Sequence, residues 1–91
     1  MKKEVMLHSA KSLLVERGAQ YGEIRENFGR IASVATGLLG RPVSPYEIAA
    51  ILLSVKLGRI PEDPAYVDSY VDGINYLAIL GEFATENEDA K

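Results

Sequence analysis

Between Ile48 and Val55 the chain reads IAAILLSV, eight residues with a single polar side chain. A helix that is apolar on nearly all sides is stable in water only where neighbours cover it, so this segment calls for a fold in which other elements surround it. Its start is set by Ser44, Pro45, Tyr46 and Glu47. Ser44 is suited to the N-cap, Pro45 to the first helical position, and Glu47 to reaching back to the Ser44 N–H as a capping box. Glu47 thereby has a structural task and is set aside as a ligand. The last turns carry Lys56 and Arg59, three residues apart on one face. Cations there interact favourably with the helix dipole, and the same pair has the spacing of a phosphate clamp.

Helical periodicity accounts for most of the remaining chain. Met6, Leu7, Ala10, Leu13 and Leu14 recur at three and four residues and predict a helix over Lys3 to Arg17, stopped by Gly18. A second helix is predicted over Glu23 to Leu39, with Ile24, Phe28, Ile31, Ala35 and Leu38 as its core stripe, ended by Gly40 and Pro42. After the loop Pro61-Glu62-Asp63-Pro64, a fourth helix directs Val67, Tyr70, Val71, Ile74, Leu77, Ala78 and Gly81 inward and puts Asp68, Asp72 and Asn75 on another face. The expectation is an all-α fold, a four-helix antiparallel bundle in residues 1–84, followed by an acidic tail over 85–91 that lacks apolar anchors and frays. Ninety-one residues support one core. A third helix this apolar suggests completion by oligomerisation, as a homodimer or homotetramer. Gly29 and Gly37, and likewise Gly73 and Gly81, lie eight residues apart, which suggests close helix contacts.

Composition removes several function classes. A formal net charge of −3 and a pI near 5.1 argue against binding duplex nucleic acid. The absence of cysteine leaves no disulfide or thiolate metal site. Glu4, His8 and Lys11 interrupt any signal-like core at the N-terminus, and no apolar run approaches the roughly 20 residues that span a bilayer. The expected setting is the cytoplasm, without a membrane. His8, the lone histidine, reads as a surface or packing residue.

Polar pairs remain. Glu23 and Glu26 are three residues apart, Asp68 and Asp72 four, so each pair shares a helix face. Brought together across facing helices, four carboxylates would suit Mg²⁺, a hard cation that prefers oxygen ligands, with Lys56 and Arg59 on a phosphate. Tyr21 could stack on a base or anchor a turn. The plain alternative is ion pairing of the same acids with Arg25, Arg30, Lys56 or Arg59, with Glu23 and Glu26 favoured in a first turn by the helix dipole.

An ExxE pair followed by an acidic pair on a later helix resembles the all-α nucleoside triphosphate pyrophosphohydrolases of the MazG and dimeric dUTPase superfamily, whose pattern is ExxE then ExxD. Here the second motif is DxxxD, which keeps a common face but moves any metal. Arg17, Tyr21-Gly22, Asn27-Phe28, Lys56, Arg59, Asp68-Ser69, Asp72 and Tyr76 also resemble the pattern of small phage and prophage proteins over residues 17–80. The resemblance implies a phage-type, nucleotide-related protein acting in the host cytoplasm. As an enzyme it would convert a nucleoside triphosphate to the monophosphate and pyrophosphate. Glu23, Glu26, Asp68 and Asp72 would hold Mg²⁺, Glu26 and Asp72 would be catalytic, and Arg17, Tyr21, Asn27, Lys56 and Arg59 would contact substrate. Two other readings stay open: a non-catalytic oligomer that sequesters a nucleotide or cyclic nucleotide, for which Arg17, Tyr21, Lys56 and Arg59 matter most, and a purely structural helical oligomer.

Overall fold

A computed structural model describes the backbone of residues 1–89 and the side chains of residues 1–86. Four α-helices occupy it: α1 (Lys3–Tyr21), α2 (Ile24–Leu39), α3 (Pro45–Arg59) and α4 (Val67–Asp89). No strand occurs among the described residues. The all-α expectation therefore holds. α4 packs against both α3 and α1, while α2 packs on α3 and touches α1.

The helix boundaries follow local chemistry closely at α3. Ser44 Oγ accepts from the Glu47 N–H at 3.1 Å, and the Ser44 N–H donates to Glu47 Oε1 at 3.1 Å, with Pro45 opening the helix. Such a cap contributes on the order of 1 kcal/mol. The hydrogen bond from the Ser44 backbone N–H, most of all, holds the Glu47 carboxyl below its ordinary value, helped by Arg41. α2 ends as expected at Gly40, whose φ of 72° favours glycine and whose N–H donates to the Thr36 carbonyl at 3.0 Å. Thr36 Oγ1 then accepts from the Val43 N–H at 2.9 Å, which turns the chain and buries Val43.

α1 differs from expectation. It continues through Gly18 to Tyr21 and stops at Gly22, where φ is 80°. An interior glycine costs a helix only about 1 kcal/mol, so Gly18 does not end α1, whereas the Gly22 backbone leaves helical space. α4 runs beyond the expected boundary at residue 84 as far as Asp89, with Thr85 Oγ1 donating to the Gly81 carbonyl at 2.8 Å and Glu86 paired to Arg25 of α2 at 2.7 Å. The remainder of the expected tail, residues 90–91, lies outside the described residues.

The core gathers Phe28 and Ala32 of α2, Val43, Ile48 and Ala49 around α3, and Ile79 of α4, with Phe28 and Phe83 in edge-to-face contact at 5.8 Å. α3 is covered on one side only: Ile51, Val55 and Leu57 are exposed, so within one chain α3 is not the enclosed centre. The glycines likewise mark no close approach, since a Cβ at Gly29, Gly37, Gly73 or Gly81 would meet nothing within 4 Å.

The largest departure is the rotation of α4. Hydropathy directs Val67, Leu77, Ala78 and Gly81 inward, yet these four are exposed. Val71 is buried as expected, but the other buried positions are Ser69, Asp72, Gly73, Asn75 and Ile79. α4 thus turns its polar face into the molecule.

Candidate functional site

Burying a polar helix face is costly unless its groups are paired, and three partners from outside α4 meet Asp68, Asp72 and Asn75, while the Ser69 hydroxyl has no hydrogen-bond partner among the described residues. Asn75 Nδ2 donates to the Ala10 carbonyl of α1 at 2.9 Å. Arg17, about two turns further along the same face of α1 as Ala10, donates from a guanidinium nitrogen to Asp72 Oδ1 at 3.1 Å. Lys56, from the end of α3, puts its ammonium between two carboxylates, 2.9 Å from Asp72 Oδ2 and 3.1 Å from Asp68 Oδ2. Asp72 is 3% exposed, Lys56 15% and Arg17 38%. The most deeply buried carboxylate therefore has one oxygen on each cation. Its bond to Lys56 is the main cause that raises the lysine above its ordinary value, opposed by burial and reinforced by Asp68.

The network lies at one wall of a cavity of about 360 Å³ between α1, α2 and α4, floored by Leu14, Ile24, Phe28 and Ile79. Tyr21 and Gly22 lie at the α1–α2 junction, Asn27 on α2, and Asn75 and Tyr76 on α4 complete the lining. Tyr21 is exposed at the rim. Its carbonyl accepts from Arg30 at 3.4 Å, which ties the end of α1 to α2. Among the described residues, the Asn27 amide and the Tyr76 hydroxyl have no hydrogen-bond partner within the chain, and Asn75 keeps its Oδ1 free. The cavity offers an apolar floor, an aromatic rim, several free polar groups and a guanidinium with unused donors. Clefts that hold small ligands share this mix of apolar lining and a few polar groups.

Of the residues expected at a site, Arg17, Tyr21, Asn27, Lys56 and Asp72 line this one cavity, and Asp68 supports it through Lys56. Arg59 does not line it, although it shares a helix face with Lys56; it is exposed beyond the site on the last residue of α3. Glu23 and Glu26 are exposed at the start of α2 and absent from the lining. Among the described residues, no three Asp, Glu or His side chains come together as a metal-binding set. The residues present do not fit the expected Mg²⁺. Its four proposed ligands are not gathered, and the two acids that do face each other already hold an ammonium between them. Asn75 and Tyr76 are site residues that the spacing of acids alone does not single out. Their signal is position, three and four residues beyond Asp72 on the same helical face.

Residues 4–84 match the family model described as a domain of unknown function, DUF6378. Among curated proteins, the Gene 55 protein of Mycobacterium phage D29 is 31% identical over 78 residues, covering 85% of this chain and 52% of that protein. The chain thus spans about half the length of this curated relative. No solved structure gives a significant match. The likeness to phage proteins is supported, while no link to the pyrophosphohydrolase superfamily emerges.

Proposed function

The chain belongs to the DUF6378 family, and we propose that it binds a nucleotide-like small molecule in the α1–α2–α4 cavity without a metal ion and without hydrolysing it. The observation that carries this is the pairing of Asp72 with both Arg17 and Lys56 on the wall of a cavity that Tyr21 and Asn27 also line. Tyr21 supplies a face on which a base stacks, a contact that is tolerant of base identity and contributes about 1–3 kcal/mol. The free amide of Asn27 and the Asn75 oxygen meet the edge of a base or the sugar hydroxyls. The apolar floor shields one side of the ring. The free donors of Arg17 take a phosphate oxygen.

Hydrolysis of a pyrophosphate bond asks for something else: a positioned water, a group to activate it, and cations gathered at the transferring phosphoryl. Asp72 is a poor base for that purpose, since each of its oxygens is engaged by a cation. The sequestering reading of the motif is therefore favoured over the enzymatic one. The phage relative supports a phage-encoded origin, for which the host cytoplasm is the expected compartment.

Calorimetric titration of the purified chain with nucleosides and nucleotides in excess EDTA tests this, with chromatography of the mixtures afterwards. Saturable binding with unaltered ligand is expected, weakened about tenfold or more by Tyr21→Ala. Absence of binding across the panel, or release of pyrophosphate that requires Mg²⁺, would overturn it.

A further inference from the structure

Resting on the reading of the cavity as a nucleotide site, we infer that its preferred ligand is a nucleoside phosphodiester, carrying one negative charge, rather than a nucleoside polyphosphate. Charge balance and hydrogen-bond capacity point the same way. Arg17 and Lys56 are the basic residues lining the cavity, and Asp72 and Asp68 balance them, so the network has no net charge. The rest of the protein adds none of the positive field that a polyphosphate needs, because the whole chain is at −3.

Neither cation is free to leave for a ligand. Asp72 is almost fully buried, and Arg17 and Lys56 each hold one of its oxygens. Drawing either away would strand a buried carboxylate, the strongly destabilising half of a buried ion pair. What a ligand meets is residual capacity. A guanidinium has five N–H donors and an ammonium three. Arg17 is 38% exposed and one of its nitrogens is engaged by Asp72. Lys56 directs hydrogen bonds to two carboxylates and is largely covered. The unused edge of one guanidinium matches the two non-bridging oxygens of a single diester, which is how arginine meets phosphate in bidentate fashion.

A phosphate monoester carries roughly −1.5 to −2 at neutral pH, and each further phosphate adds charge that meets Asp68 and Asp72 rather than a cation. Volume agrees. At about 360 Å³ the cavity lies near the lower end of small-ligand sites, which span roughly 300–1,000 Å³, and suits one nucleoside unit. Two sources supply the same chemistry, a cyclic mononucleotide and one end of a linear or cyclic dinucleotide, and the test separates them.

For the base that binds best, calorimetry in EDTA compares the nucleoside, its cyclic monophosphate, its linear dinucleotide monophosphate, its monoester and its triphosphate. The expected order is diester above monoester above triphosphate, the diester exceeding the triphosphate by about tenfold or more, as one charge-assisted hydrogen bond implies. Tighter binding of the dinucleotide than of the cyclic mononucleotide assigns the source to a dinucleotide, and the reverse to a cyclic mononucleotide. Arg17→Gln, checked for helix content and unfolding midpoint, is expected to lower diester affinity to that of the nucleoside. A triphosphate that binds tightest, or a nucleoside equal to the diester in the unaltered chain, overturns this inference and leaves nucleotide binding standing. Failure of every compound to bind overturns both.

Discussion

Lys56 occupies the position on which two acidic residues converge. Asp68 and Asp72 are four residues apart on α4, an arrangement that repels unless a cation lies between them, and the Lys56 ammonium lies 3.1 and 2.9 Å from their oxygens. Because these bonds raise the lysine above its ordinary value of 10.5, its contribution to stability is fully present below pH 10.5 and is lost as pH rises through the higher folded-state value. Urea unfolding, followed by circular dichroism, is expected to show a wild-type midpoint that falls in this alkaline range. Lys56→Met leaves Asp72 with Arg17 alone. It is expected to lose about 3 kcal/mol at neutral pH and to show a flatter alkaline profile than the wild type. Equal profiles for the two proteins would mean that Lys56 is not engaged as described.

At the scale of elements, α3 is legible from its residues because everything that starts it lies within four positions, from Ser44 to Glu47. The face of α4 is not legible in that way. Its hydropathy favours Val67, Leu77 and Gly81, and the inward turn of Asp72 and Asn75 rests on partners 55, 16 and 65 residues away, namely Arg17, Lys56 and the Ala10 carbonyl. Periodicity weighs each side chain alone and cannot weigh pairs that only the folded chain brings together. The same limit applies to α2. Ile31 and Leu38 fit the expected core stripe, yet Leu38 is 82% and the nearby Val34 63% exposed, while Ala32 is buried. Ile31, Val34 and Leu38 form a seam at three- and four-residue spacing of the kind that pairs helices, flanking an apolar groove of about 370 Å³. A second copy of the chain would carry the same seam, so an isologous contact is the expected way of covering it. Light scattering after gel filtration is expected to give a dimer or higher multiple that Val34→Glu shifts to monomer; a wild-type monomer at all concentrations would exclude this contact.

Across the whole molecule, more surface is exposed than a compact chain of this mass requires. The surface measures 6322 Å², where a compact monomer of this mass exposes about 5,200 Å². No helix among the described residues is long and apolar enough to cross a membrane. Within that frame the phage-type set of polar residues was largely legible as a set: Arg17, Tyr21, Asn27, Lys56 and Asp72 reach one cavity from four helices. Their roles were less legible, because the same carboxylates suit a metal or an ammonium equally well until the position of Lys56 is known. Glu23 and Glu26 stay at the surface, and the acid pair on α4 is already neutralised from within the chain. The most direct measurement is a two-dimensional amide NMR titration of the purified protein with Mg²⁺. Weak, non-saturating shifts spread over the surface acids, with Asp68 and Asp72 no more affected than the rest, are the outcome expected of a site whose cation is a lysine. Saturable shifts concentrated at Glu23, Glu26, Asp68 and Asp72 would contradict it.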